Sequence, residues 1–292
     1  MHARENLKGV TVMMIAVASF SFMDACLKLL SPHYPALEIT SLRGMATLPI
    51  IVAWVAASGG ARGLLRIRLP LHLARGVLGV AMLAFFTFGV RRLPLADAYA
   101  IFFVAPLLIT ALAFLLLHER VGRARWVAIS VGFVGVLIVL RPTAGGAITL
   151  PGLAILATAL GYALSAITVR VLGRTDSTQS MVFWLMTFIA VGAGLLAIPE
   201  WRALQPEHGW IVCGMGISGS IGQWAVTEAF RQGEASFIAP FEYTALVWGM
   251  GLDWFVWRTA PAPVTLAGAS VIIASGIYLV RHERVHATAE HP

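Results

Sequence analysis

Runs of about twenty apolar residues recur ten times along this 292-residue chain, broken by short polar stretches or by proline and glycine. A helix of ~20 apolar residues crosses a hydrocarbon core ~30 Å thick. Inside that core every backbone polar group needs a partner within the segment, so such runs are read as α-helices. The predicted spans are Leu7–Leu30, Ala36–Ala57, Leu69–Val90, Leu93–Leu117, Val121–Leu140, Thr149–Leu172, Gln179–Ile198, Gly209–Phe230, Ala235–Trp257 and Val264–Val280. The breaks fall at Ser31–Pro35, Gly59–Gly60, Arg91–Arg92, His118–Arg120, Pro142–Gly146, Pro199–His208 and Pro261–Pro263. No intervening loop is long enough for a soluble domain. Only 12% of residues are charged and 59% are hydrophobic, against about 25% and 45–50% in soluble domains, which argues against a water-soluble enzyme. The first run exceeds the ~7–15 residue core of a signal peptide, so it is read as a retained span.

The net charge of +7 could suggest nucleic acid, but the 21 basic residues are scattered between apolar runs instead of forming one face. No nucleic-acid partner is expected; the lipid bilayer is. Basic residues are retained on the cytoplasmic side during insertion. With ten spans, fourteen of them fall on the side of the two termini, Arg75 among these, and six on the other, leaving Arg43 within a span. Both termini are therefore expected in the cytoplasm.

The two halves are weakly self-similar. Gly9–Lys28 can be laid on Gly152–Val171 with Ala16 over Ala159, Ala96 and Ala100 fall on Ala235 and Ala239, and Gly135 falls near Gly276. The division is predicted as residues 1–146 and 147–292, each with five spans. Five is odd, so the second copy must insert upside down, the plan of many secondary transporters, whose substrates bind near the midplane where the repeats meet. Residues 1–146 hold fourteen basic and five acidic residues and the remainder seven and nine, which accompanies the division.

The stretch Arg91-Arg92-Leu93-Pro94-Leu95-Ala96-Asp97-Ala98-Tyr99-Ala100, continuing through Pro106 to His118-Glu119-Arg120 and then Gly132 and Gly135, resembles the fourth and fifth helices of the EamA-type carriers in the drug/metabolite transporter superfamily. Ala235–Trp248 resembles the equivalent ninth helix. Lys28 and Arg43 stand where the family tends to carry basic residues. The terminal glutamate of the ninth helix is replaced by Arg258-Thr259-Ala260, so no role carries over from Glu119 there. The resemblance spans the whole chain. It implies an all-α membrane protein of ten helices in two inverted repeats that exports or exchanges small metabolites by alternating access, in a bacterial-type inner membrane and without a cofactor.

Charges within spans cost roughly 2.5–3.5 kcal/mol at the membrane centre on insertion scales, so each needs a partner or a task. Glu242, directly after Ala239-Pro240-Phe241, is the first candidate: it suits a substrate amine or a coupling proton, or is a carboxyl held by neighbouring donors. Arg43 suits a substrate carboxylate through its planar fork, or else pairs with Glu38 or Asp24. Asp24 and Lys28, four apart, are expected to pair with each other. Asp97 is expected to cap its helix or pair with Arg91 or Arg92, and Asp253 to be solvated near an interface. Tyr99, Tyr162, Trp184, Gln223, Trp224 and Tyr243 complete the candidate cavity, with packing as the alternative for each. Trp54, Trp201, Trp210, Trp254 and Trp257 fit an interfacial belt.

Cys26 and Cys213 lack metal-ligand spacing and are read as packing residues, and no metal site is expected. Gly216-Ile217-Ser218-Gly219 matches the short pattern of intramembrane serine proteases, but all eight histidines fall in loops, helix ends or tails, leaving no base at the same depth. Together with Gly76, Gly79, Gly132, Gly135, Ser220 and Gly222 it is read as helix packing. The function expected is transport of a small metabolite, with export of an amino acid, aromatic ones included, first. Uptake or exchange of a cofactor-like metabolite such as S-adenosylmethionine or a vitamin is the alternative carrier reading. An intramembrane enzyme or a non-transporting partner is the alternative from another class.

Overall fold

The computed structural model describes residues 2–58, 63–64, 67–118, 122–140, 149–232 and 238–289. These form helices in ten successive segments, with no strand among them. The first three are α1 (His2–Leu30), α2 (Ala36–Ala57) and α3 (Leu69–Val90). The fourth is split into α4 (Leu95–Phe102) and α5 (Ala105–Leu117), and the fifth is α6 (Arg123–Leu140). The second set begins with α7 (Leu150–Leu172). Its next segment passes from α8 (Thr178–Phe188) through a π-turn, Ile189–Ala193, into α9 (Gly194–Ala197) and a 3₁₀ turn, Ile198–Glu200. Then come α10 (Gly209–Gln232), a ninth segment of 3₁₀ helix (Ala239–Thr244) continued by α11 (Ala245–Trp257), and α12 (Pro263–Ala289). The breaks Gly59–Gly60 and Pro142–Gly146, together with Arg62, Arg66, Glu119, Arg120 and Ala235, lie outside the described residues.

Six segments are long and apolar enough to cross a membrane. The outward faces of the ten segments are apolar: Phe255 is 74% exposed and Trp210 69%, and Val77, Leu150, Leu195 and Ile198 are exposed too. Such a surface is tolerable against lipid and not against water. Trp201, Trp210 and Trp254 are exposed as a belt would require, whereas Trp257 lies under the Lys28 ammonium, 4.4 Å from its ring centre.

Helix packing follows an approximate two-fold relation between the halves. The first span packs chiefly on the eighth (α1 on α10) and the third on the sixth (α3 on α7). Advancing each number by five, modulo ten, turns one pair into the other. The second packs on the seventh, the fourth on the ninth and the fifth on the tenth, each pair its own equivalent. The repeats therefore interleave.

Two irregular segments have local causes. Span four breaks at Phe103–Val104, just before Ala105-Pro106, because proline has no N–H to continue the ladder. The same Ala-Pro pair opens the 3₁₀ stretch of span nine at Ala239-Pro240, and Thr110-Ala111-Leu112 recurs as Thr244-Ala245-Leu246. Both segments end on a left-handed non-glycine residue, His118 (φ 54°) and Arg258 (φ 55°). At the π-turn of span seven the Ala190 carbonyl, which accepts the Gly194 N–H, also accepts the Ser41 hydroxyl of α2 at 2.8 Å.

Candidate functional site

A cavity opens between the halves, walled by α1, α2, α3, α4, α7, α8, α10 and the start of span nine. Most of its wall is apolar, with Phe20, Phe86, Phe102 and Phe230 supplying flat faces. The polar groups are few and buried. Tyr99 of α4 donates its hydroxyl to Asp24 Oδ2 of α1 at 2.8 Å, and Tyr162 of α7 donates to Glu242 Oε1 at 2.9 Å. Each bond joins the first and fourth spans of one half, with acid and tyrosine exchanged between the two. Glu242 is 5% exposed and its other oxygen, Oε2, has no partner.

Two arginines face the same space. Arg43 of α2 is 2% exposed, lies over the Phe20 ring at 5.7 Å and has no partner at Nε. Arg75 of α3, also 2% exposed, donates from Nε to Ser165 Oγ at 3.3 Å and from an NH₂ nitrogen to the Met181 carbonyl at 2.9 Å. Neither arginine forms an ion pair among the described residues. Gln223 also lines the wall and donates to Thr227 Oγ1 at 3.2 Å.

Of the residues singled out from sequence, Glu242, Arg43, Tyr99, Tyr162 and Gln223 thus share one cavity. Trp184, Trp224 and Tyr243 are not on its wall. Trp184 donates to the Leu64 carbonyl at 3.0 Å and packs against the rings of Phe183, edge-on, and Phe188, tilted. Trp224 is 36% exposed on the outer face, and Tyr243 packs edge-on against Phe103 at 5.1 Å. A tyrosine or tryptophan within a span is equally suited to packing, and residue type does not show which way a ring points.

Several pairings differ from expectation. Asp24 binds Tyr99, not Lys28, and Lys28 Nζ reaches Asp253 Oδ1 at 3.1 Å. Asp253 is not solvated: it is 2% exposed and accepts the backbone N–H groups of Leu95 (3.2 Å) and Ala96 (2.9 Å) at the start of α4. Asp97 accepts from Thr265 at 3.2 Å, and Arg92 lies over Phe88. Glu38 accepts the backbone N–H of Arg202. Arg75, read from sequence as a loop-side charge that orients the chain, is instead a cavity residue. Its position seven residues into an apolar run was the available sign. At the N-terminal side of the cavity, His72 and Asp176 meet at 2.7 Å, both buried.

The glycines of α10 pack as expected. A Cβ on Gly216 would stand 2.8 Å from the Ala46 carbonyl oxygen, and one on Gly222 2.7 Å from the Phe20 ring. Ser218 donates its hydroxyl to the Gly214 carbonyl. Both cysteines are free.

An all-helical bundle with an apolar exterior, enclosing a central cavity with a few buried charges, defines a polytopic membrane carrier. The EamA-like transporter family model matches residues 7–141 and 150–281, and the chain belongs to that family. It is 27% identical over 281 residues to a riboflavin transporter of Vibrio cholerae, covering 95% of this chain and 94% of that one. It is 29% identical over 282 residues to a pseudopaline exporter of Pseudomonas aeruginosa, covering 94% and 97%. An S-adenosylmethionine uptake transporter of Rickettsia conorii is 25% identical over 286 residues, covering 98% and 96%. A solved crystal structure superposes with a TM-score of 0.74 at 20% identity, covering 97% of this chain and 99% of that one. The protein is a small-molecule transporter in a membrane, not an enzyme.

Proposed function

We propose that the chain moves a small amphipathic metabolite with an amino-acid-type head by alternating access, and that the first substrate class to test is the aromatic amino acids, moved outward. The observation that carries this reading is the pair of unsatisfied buried groups in one apolar cavity, Arg43 Nε and Glu242 Oε2. A guanidinium matches a substrate carboxylate, and either buried carboxylate of the wall, Asp24 beside Tyr99 or Glu242 beside Tyr162, matches an ammonium, while Phe20, Phe86 and Phe102 accept a flat apolar group. Leaving such groups unpaired is costly, which supports a ligand as their partner. The charge distribution of the loops supports both termini lying in the cytoplasm of a bacterial-type inner membrane.

A second reading is uptake or exchange of a larger cofactor-like metabolite. It is favoured by the relatives that carry riboflavin and S-adenosylmethionine. Purified protein in liposomes decides between them, with labelled tryptophan, phenylalanine, riboflavin and S-adenosylmethionine measured in both directions. Flux of the amino acids that unlabelled riboflavin does not inhibit supports the first reading, and the reverse supports the second. No flux of any of these solutes removes both substrate assignments.

A further inference from the structure

The two cavity arginines stand at different depths. Helices α2 and α3 each have 22 residues, so each is about 33 Å long at 1.5 Å per residue. They run in opposite directions, and Arg43 is the eighth residue of one while Arg75 is the seventh of the other. With the facing ends of the two helices level, their Cα atoms are therefore eight rises, roughly 12 Å, apart along the helix axes. Each has its own acid and tyrosine in the cavity wall. Asp24 and Tyr99 belong with Arg43, near the C-terminal end of α1 and the start of α4. Glu242 and Tyr162 belong with Arg75, on the side of the N-terminus. Each set holds one cation and one carboxylate that are not paired with each other in an ion pair, and aromatic side chains lie around them.

A site for one zwitterionic head needs one such set. Two buried guanidinium groups in one cavity, neither within ion-pair distance of a carboxylate among the described residues, would repel each other and lose solvation with little return. We infer that the cavity is a two-ended site for a metabolite with an amino-acid-type head at each end of an apolar connector, one carboxylate on Arg43 and the other on Arg75. This rests on the carrier reading above and narrows its substrate from a single-headed to a double-headed amphiphile. Arg75 is held by two neutral acceptors, Ser165 Oγ and the Met181 carbonyl, which orient it and leave its charge for a ligand.

The test is binding of α,ω-bis(α-amino acids) of increasing connector length to purified protein in detergent, by isothermal titration, beside single-headed 2-aminoalkanoic acids of matching length. The expected result is a connector length at which the two-headed probe binds at least about tenfold more tightly than its single-headed counterpart. Arg43→Gln and Arg75→Gln should each reduce that probe to single-headed affinity. The length series needs no variant, so a misfolded Arg75→Gln does not obscure the outcome. Equal or weaker binding of the two-headed probe at every length overturns the inference, as does absence of binding by any bis-amino acid. Flux of tryptophan or riboflavin in liposomes would survive either result and keeps the carrier reading separate.

Discussion

Glu242 holds Tyr162 through one carboxylate oxygen and leaves the other bare, which separates its structural work from any transport work. Glu242→Gln keeps a carbonyl to accept the tyrosine hydroxyl and keeps the side chain's size, but removes the charge. It should melt close to the wild type in detergent while transport of an amine-bearing substrate falls at least about tenfold, on the scale of one lost charge-assisted bond. Tyr162→Phe does the converse: it strips the acceptor of its donor in a buried place, at about 1–3 kcal/mol, and should lower the melting temperature. Unchanged transport by Glu242→Gln would confine that side chain to packing. Glu242 and Arg43 stood out in the sequence because a charge in mid-span is rare. Arg75 did not, since an arginine six residues past a span boundary is equally well explained by orientation, and only the packing of α3 against α7 and α8 turns it inward. Lys28 and Asp253 are 225 residues apart, a pairing that no local rule reaches.

At the scale of elements, the ten segments were legible from hydropathy, since length and apolarity are properties of a local window. The internal breaks were not, because they answer to neighbours. Span four looks like one run, yet α4 starts on the Asp253 carboxylate of span nine, which caps its first two N–H groups. Asp253→Ala would orphan those donors and leave Lys28 only the Trp257 ring as a partner. We expect a loss of about 3–5 kcal/mol, as for breaking other buried pairs, read as a lower melting temperature. Close approach is a second element-scale constraint. A Cβ on Gly44 would lie 2.6 Å from the Ala190 backbone nitrogen in the π-turn, a position that cannot yield without moving span seven. Gly44→Ala should therefore destabilise the protein. Gly251→Ala meets nothing within 4 Å in the middle of α11 and should be neutral or stabilising by up to about 1 kcal/mol, from helix propensity alone. If the two alanines behave alike in thermal melts, contact between α2 and span seven does not set stability.

At the scale of the whole molecule, each end of the cavity is crossed by a polar contact between the two halves, buried at one end and part-buried at the other. On the side of the termini His72 of α3 meets Asp176, which follows α7; on the far side Lys28 of α1 meets Asp253 of α11. A carrier that opens alternately must break one contact while keeping the other, so loosening either one should shift the population toward opening at that end. His72→Gln and Asp176→Asn weaken the first; Lys28→Met removes the cation of the second but leaves Asp253 on its two backbone donors. Single cysteines report the outcome in a background where Cys26 and Cys213 are replaced by alanine. Ala166→Cys lies on the cavity wall toward the termini, and Ser21→Cys lies further toward the other end. With a membrane-impermeant thiol reagent applied from the side of the termini, Asp176→Asn should speed labelling at Ala166→Cys about threefold or more, a shift of under ~1 kcal/mol in the opening equilibrium. From the far side the same variant should slow labelling at Ser21→Cys. Lys28→Met should reverse both changes. Variants that speed or slow labelling at both positions together would show that the ends open independently, and that the two halves do not rock about the shared cavity.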